Sequence, residues 1–163
     1  MHNTTKANII YKHFKGLSTT ELYNIIKLRI QVFCVEQNCP YQDADGKDFE
    51  SWHLMIYNAD NMLIAYSRIL PKGISYPEYV SIGRIVTAES VRMHGFGKLL
   101  MQESLKQTTT LFGNAPIKIS AQAYLRKFYT SFGFVATGEE YIEDHIPHIG
   151  MIKLPFQPLH QGS

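Results

Sequence analysis

Arg92-Met93-His94-Gly95-Phe96-Gly97 decides how this chain is read. The stretch follows a β-type run, Tyr79 to Thr87, and precedes Leu99 to Leu111, which places Gln102, Glu103, Lys106 and Gln107 on the wet face of a helix. A strand, a glycine-bearing turn and a helix therefore stand in succession. A helix start leaves backbone N–H groups unpaired at the positive end of the helix dipole, and glycines there let a phosphate approach the backbone. The expectation is an anion site, against the plainer reading that Gly95 and Gly97 only make a tight turn. Spacing excludes two nucleotide motifs. A Walker A loop needs glycine where Arg92 stands and serine or threonine where Leu99 stands, and a dinucleotide fingerprint needs glycine or alanine where Leu100 stands.

Upstream, Ser18-Thr19-Thr20-Glu21 is a capping box, and Leu22, Ile25, Ile26, Ile30 and Phe33 follow at helical spacing, which predicts a helix over 19–35. Ile9 and Tyr11 alternate with Asn8 and Lys12 as a first strand. Asn38 to Asp48 is polar and carries Pro40, so it reads as a long surface loop. Residues 52–58 and 62–70 are β-rich around a short polar turn and suggest a hairpin. Downstream, Gly113 to Pro116 stops the second helix, and Ile117 to Ala121 is a strand. Tyr124 to Phe132 is a short helix closed by Gly133, and strands are expected over 134–137 and 149–154. The order β-α-β-β-β-α-β-α-β-β is α+β (mixed α/β), with an antiparallel hairpin ahead of a parallel strand–helix–strand crossover.

The chain has 163 residues, which at roughly 150 per domain predicts a single domain over 1–163, with 155–163 as a frayed tail. Hydrophobic residues are 45% and charged ones 18%, so the chain can build a core and is not a disordered or coiled-coil sequence. The formal charge of +2 is too small to propose nucleic acid as a partner. Cys34 and Cys39 make no disulfide framework, and a reducing cytoplasm is expected. The N-terminus lacks an apolar signal core and no apolar run approaches membrane length, so no membrane partner is expected. Metal is not expected either. The acidic loop breaks the EF-hand pattern at Lys47 and Gly46, and the two cysteines lack a second ligand pair.

Arg29, Arg68 and Arg84 interrupt apolar segments, where an arginine is paired with a carboxylate or aimed at an anion; ion pairs are the default. Asp43, Asp45, Asp48 and Glu50 form an acidic loop, favoured as a solvated turn over an attractor for a cationic amine.

Arg92-Met93-His94-Gly95-Phe96-Gly97 resembles the acyl-CoA pyrophosphate loop of the GNAT N-acetyltransferase superfamily. Phe128-Tyr129-Thr130-Ser131-Phe132-Gly133-Phe134 resembles that superfamily's later Y-x-x-x-G-F element. Leu28 to Asp43, Ala65 to Leu70, Ile82-Gly83-Arg84, Ala121-Gln122-Ala123 and Ile146 to Met151 look like its ElaA-like branch, so the resemblance covers nearly the whole chain. It implies an acyl-CoA N-acyltransferase fold, a central twisted mixed sheet of about six to seven strands flanked by helices. It also implies an N-acetyltransferase that moves an acetyl group from acetyl-CoA, as co-substrate, to a primary amine of a small molecule or peptide.

Residue by residue, the resemblance gives the amides of Met93, His94, Gly95, Phe96, Gly97 and Lys98 to the pyrophosphate, with Arg92 and Lys98 as charge partners. Ile85 and Val86 offer backbone groups to the pantetheine arm and the thioester carbonyl. Gln122 stands where many members carry asparagine and reaches one methylene further. Tyr129 is implied as general acid to the departing thiolate, against packing as an ordinary core tyrosine. Glu36 is the second catalytic candidate, and His53 and His148 stand beside it as candidate bases with none singled out. A non-catalytic acyl-CoA-binding domain and an acyltransferase using a longer acyl donor are the competing readings. A homodimer through Phe14, Phe49 or the last strand stays open.

Overall fold

A computed structural model describes residues 6–157. Seven strands, β1 (Asn8–His13), β2 (Trp52–Tyr57), β3 (Leu63–Leu70), β4 (Val80–Thr87), β5 (Ile117–Gln122), β6 (Val135–Glu143) and β7 (Ile146–Lys153), form one sheet in the order β1-β2-β3-β4-β5-β7-β6. All neighbours are antiparallel except β4 and β5, the parallel pair expected on either side of a crossover helix. That helix is α2 (Phe96–Phe112), and α1 (Thr19–Arg29) and α3 (Arg126–Thr130) complete the regular helices. Among the described residues no helix is long and apolar enough to cross a membrane.

The α1 capping box forms as the sequence implies: Glu21 N donates to Ser18 Oγ at 3.0 Å and Ser18 N donates to Glu21 Oε2 at 2.9 Å. The helix expected to run evenly over 19–35 changes pitch. Regular α-helix ends at Arg29 and the chain continues in π-helical turns over Ile30–Glu36. On one face of the sheet Ile25, Leu28 and Val32 pack on Met55, Tyr57, Tyr66 and Val86. On the other face Phe96 and Leu100 of α2 pack on Leu54, Ile56 and Ala65, and Met101 joins Tyr129, Phe134 and the inner residues of β5 and β7.

Two strand expectations were too short. β6 reaches Glu143 although its nine residues are nearly all exposed, so no apolar alternation announces it. β7 begins at Ile146, and β6 bulges between Thr137 and Tyr141, where Gly138 takes φ +76°. Asn114 Nδ2 donates to the Phe156 carbonyl at 3.1 Å; residues 158–163 of the expected tail lie outside the described residues.

The acidic loop is not a solvated turn. Asp43 and Asp48 are buried, and three aspartates take up three arginines from three different elements. Arg29 of α1 has Nε 2.9 Å from Asp43 Oδ2 and Nη1 2.8 Å from Asp48 Oδ1. Arg68 of β3 grips Asp45 through both terminal nitrogens, at 2.7 and 2.9 Å, and shares Asp48 at 2.9 Å. Arg84 of β4 places Nε 2.9 Å from Asp43 Oδ1 and Nη2 3.3 Å from Asp45 Oδ2. These carboxylates are therefore spent on ion pairs within the fold. His53 closes the same cluster, accepting from the Tyr66 hydroxyl at Nδ1 (2.7 Å) and donating from Nε2 to the Asp48 carbonyl (3.0 Å).

Removing one member of a buried ion pair leaves the others desolvated and uncompensated. Arg29→Met is expected to lower unfolding free energy by about 3–5 kcal/mol in urea titrations; a loss below about 1 kcal/mol would show that the cluster is dispensable.

Acid should act in the same direction. Burial depresses the His53 pKa below its ordinary 6.5, despite the opposing Asp48 contacts, so its contribution is full above pH 6.5 and is lost as pH falls below it. Burial works against the Asp45 and Asp48 carboxylates, but the neighbouring arginines outweigh it and hold both below the ordinary 3.8. Their contribution is lost below pH 3.8. The urea midpoint should fall on acidification from pH 6.5 and more steeply below pH 3.8; a flat profile would refute the assignment.

Candidate active site

β4 and β5 are hydrogen-bonded only at their starts, Val80 with Ile117 and Ser81 with Lys118. Beyond that point the two parallel strands part, and the edge of β4 that faces β5 has no ladder partner. The parting coincides with a bulge. Tyr66 pairs with Val86 and Arg68 with Gly83, so β4 carries one extra residue against β3, and Arg84 sits there at φ +49°. A non-glycine residue in that region costs on the order of 1–3 kcal/mol and persists only when its surroundings hold it. Asp43 and Asp45 hold the Arg84 guanidinium, which also lies 5.5 Å over the Tyr41 ring. Ile85 and Val86, the strand residues singled out from the sequence, follow directly and border the opening.

The α2 N-terminus stands at the same end of the molecule, because it follows the C-terminal end of β4. Gly95 is its N-cap at φ +84°, with no side chain to cap the helix. Leu99 N bonds back to the Gly95 carbonyl at 3.1 Å, which leaves the Phe96, Gly97 and Lys98 amides without an intrahelical acceptor. The start lies three residues earlier than the sequence pattern suggested, so these amides belong to the helix. Met93, also left-handed at φ +65°, is fully exposed, and Lys98 is exposed. The Phe96 side chain is buried in the core, so only its backbone faces the turn. At Gly97 an added Cβ would sit 3.9 Å from the Phe128 ring. His94 lies in the turn between Met93 and Gly95.

Glu36, at the end of the π-helical segment, meets Arg92 at 2.6 Å, and Arg92 also donates to the Thr87 carbonyl at 3.0 Å. The end of the first helical segment is thereby tied to the turn that precedes α2. Gln122, the last residue of β5, donates to Gln37 at 3.3 Å, and Cys39 Sγ donates to the Asp144 carbonyl at 3.0 Å. Residues 36–39, the β6–β7 turn and the end of β5 thus converge beside the opening, contacts that no local sequence pattern signals. Tyr129 of α3 is 5% exposed, with its ring edge-on to Phe128 and Phe134, and burial raises its pKa well above the ordinary phenol value. The phenol keeps its proton. His53 is fully buried with both nitrogens engaged, and His148 lies on the half-open face of β7.

Residues 29–155 match the family model described as an acetyltransferase (GNAT) domain. The chain belongs to the GNAT acetyltransferase family. Protein ElaA of Escherichia coli is 44% identical over 143 residues, 86% of this chain and 92% of that protein. Its crystal structure superposes with a TM-score of 0.84 at 41% identity, covering 90% of this chain and 99% of that one. The crystal structure of an acyl-CoA N-acyltransferase from Pseudomonas aeruginosa gives a TM-score of 0.85 at 42% identity over the same shares. The seven-stranded mixed sheet flanked by helices is thus the GNAT acyl-CoA N-acyltransferase fold, as the sequence resemblance implied. GNAT proteins bind acetyl-CoA or CoA, and the parted strands with an uncapped helix start at their end suit a long, phosphate-tipped ligand.

In this GNAT chain the most telling single position is Gly95. Valine there must adopt a left-handed backbone, which a β-branched residue rarely does. Gly95→Val is expected to weaken acetyl-CoA binding by at least about tenfold in calorimetric titration while unfolding stays cooperative; unchanged affinity would remove the loop from the cofactor site.

Proposed function

We propose that the protein transfers the acetyl group of acetyl-CoA to a primary amine, of a small molecule or a peptide, by direct attack of the neutral amine on the thioester. The observation that carries this reading is the opening between β4 and β5 with the glycine-capped start of α2 at its end. The amides of residues 93–98 receive the pyrophosphate, with Arg92 and Lys98 as nearby positive charges. Backbone groups of Ile85 and Val86 align the pantetheine arm, and an amide there steadies the oxyanion that forms as nitrogen adds to the carbonyl. Gln122 supplies a side-chain amide to the arm from the β5 side.

Tyr129 gives its proton to the sulfur as the carbon–sulfur bond breaks. Its burial supports the role, since the phenol stays protonated until a thiolate develops beside it. Glu36 contributes from the rim, where its bridge to Arg92 couples the wall of the acceptor side to the phosphate loop. The reaction belongs in the cytoplasm, where acetyl-CoA is available, and the free thiols of Cys34 and Cys39 suit a reducing compartment.

Two measurements test the reading. Calorimetry should find binding of acetyl-CoA and desulfo-CoA but not ATP, and a folded sample that binds none of them would overturn it. In thiol-release assays Tyr129→Phe should lower kcat by about 10²-fold with little change in acetyl-CoA affinity; full activity would reduce Tyr129 to packing.

A further inference from the structure

We propose that His148 takes the proton of the acceptor ammonium, assisted by the neighbouring Glu143 carboxylate. The inference rests on the acyltransfer reading above and deepens it.

Strand register places His148 on β7, with β5 between it and the opening. It pairs directly with Gln122 across β5–β7 and with Tyr141 across β6–β7, so the three side chains share one face of the sheet. Along β5, Ile117, Ile119 and Ala121 point into the core under α2, so Lys118, Ser120 and Gln122 face the other way. The face that carries His148 is therefore the one opposite α2, and it reaches the parted end of β5.

The chemistry of the ring is set by its neighbours. His148 Nδ1 lies 2.7 Å from the Ile146 carbonyl, which can only accept, so in the neutral ring the hydrogen is on Nδ1 and the lone pair is on Nε2. Nε2 stands 3.7 Å from Glu143 Oε2. An ionised carboxylate has no proton to give that lone pair, and at this separation its charge favours an imidazolium once one forms. Ser120 Oγ holds Glu143 Oε2 at 3.0 Å and is hydrogen-bonded to the Tyr141 hydroxyl, whose ring stacks on His148 with centroids 6.1 Å apart. The His148 side chain is 12% exposed and that of Glu143 51%, so a proton received inside has a route to water.

The titratable groups around this ring are Glu143 and Tyr141 from β6, with Tyr76 of the β3–β4 segment near both, while β5 opposes it with the neutral Ser120 and Gln122. Lys118, further along β5, rests its ammonium on the rings of Tyr76 and Tyr79. Asp144 and His145 form the β6–β7 turn next to it. The other two candidate bases are committed elsewhere, His53 through both nitrogens and Glu36 to Arg92.

The proton balance closes. One proton passes from the ammonium to Nε2, directly or through one water, and then to solvent. The freed nitrogen lone pair forms the bond to the acetyl carbon, and the carbon–sulfur electron pair leaves on sulfur. The second proton lost by nitrogen replaces the one that Tyr129 gives to sulfur.

The test follows thiol release by the intact protein at saturating acetyl-CoA with a panel of primary amines between about pH 6 and 9. His148→Gln should lower kcat/KM for the amine about 10²-fold near neutrality and recover as pH rises and more amine is already neutral, with acetyl-CoA affinity unchanged. Glu143→Gln removes the carboxylate beside Nε2, so kcat/KM for the amine should fall by a smaller factor near neutrality and likewise recover at high pH, with acetyl-CoA affinity unchanged. That variant decides alone if His148→Gln does not fold. His148→Gln within about twofold of wild type throughout, or Glu143→Gln indistinguishable from wild type, overturns the role of His148 and leaves acyltransfer standing. Wild-type protein that binds acetyl-CoA but releases no thiol to any amine overturns acyltransfer itself, and the base with it.

Discussion

Three arginines paired with three aspartates of one loop, with Arg29, Arg68, Asp43 and Asp48 buried, are the constraint on which the site half of the molecule depends. Ions taken out of water are tolerated only when their pairing is nearly complete. Arg29, Arg68 and Arg84 come from α1, β3 and β4, and each needs carboxylates that its own element does not supply. The loop carrying Asp43, Asp45 and Asp48 is drawn inward to meet that need. Its path fixes α1 against the sheet, and the hold on Arg84 keeps the left-handed bulge that turns the end of β4 away from β5. The parting of β4 and β5 is thus a consequence of electrostatics several residues away from it.

The two inward histidines show how environment divides one residue type into two roles. His53 has hydrogen-bond partners on both nitrogens and a pKa depressed by burial, so it is a neutral strut within the ion cluster. His148 has one nitrogen fixed by a carbonyl and the other facing a carboxylate beyond hydrogen-bond reach, on a face open to water. Glu36 makes a similar point among the acids, since its bridge to Arg92 joins the end of the first helix to the glycine turn.

Local chemistry made much of this fold legible. The capping box at Ser18, the glycine turn before α2, the β2–β3 hairpin and the arginines in apolar segments are decided by residues within a few positions of each other. The elements misjudged lacked such a signal. β6 is a nearly all-exposed strand rich in glutamate, and it exists because β7 offers it a ladder. The π-helical turns after Arg29 interrupt an apolar period that by itself suits an even helix. The acidic loop looked solvated because nothing within it names its partners, which lie 14 to 41 residues away along the chain.

By itself the sequence determined the order of the elements, the glycine turn that opens α2, and the family, because each depends on backbone preferences and hydrogen-bond donors that are local to the chain. Only the tertiary structure decided which charges neutralise which, where β4 and β5 part, and that Gln122, Glu143 and His148 share a face. Those outcomes depend on through-space distance and on the cost of burying an unpaired ion, and neither is a property of neighbours in sequence.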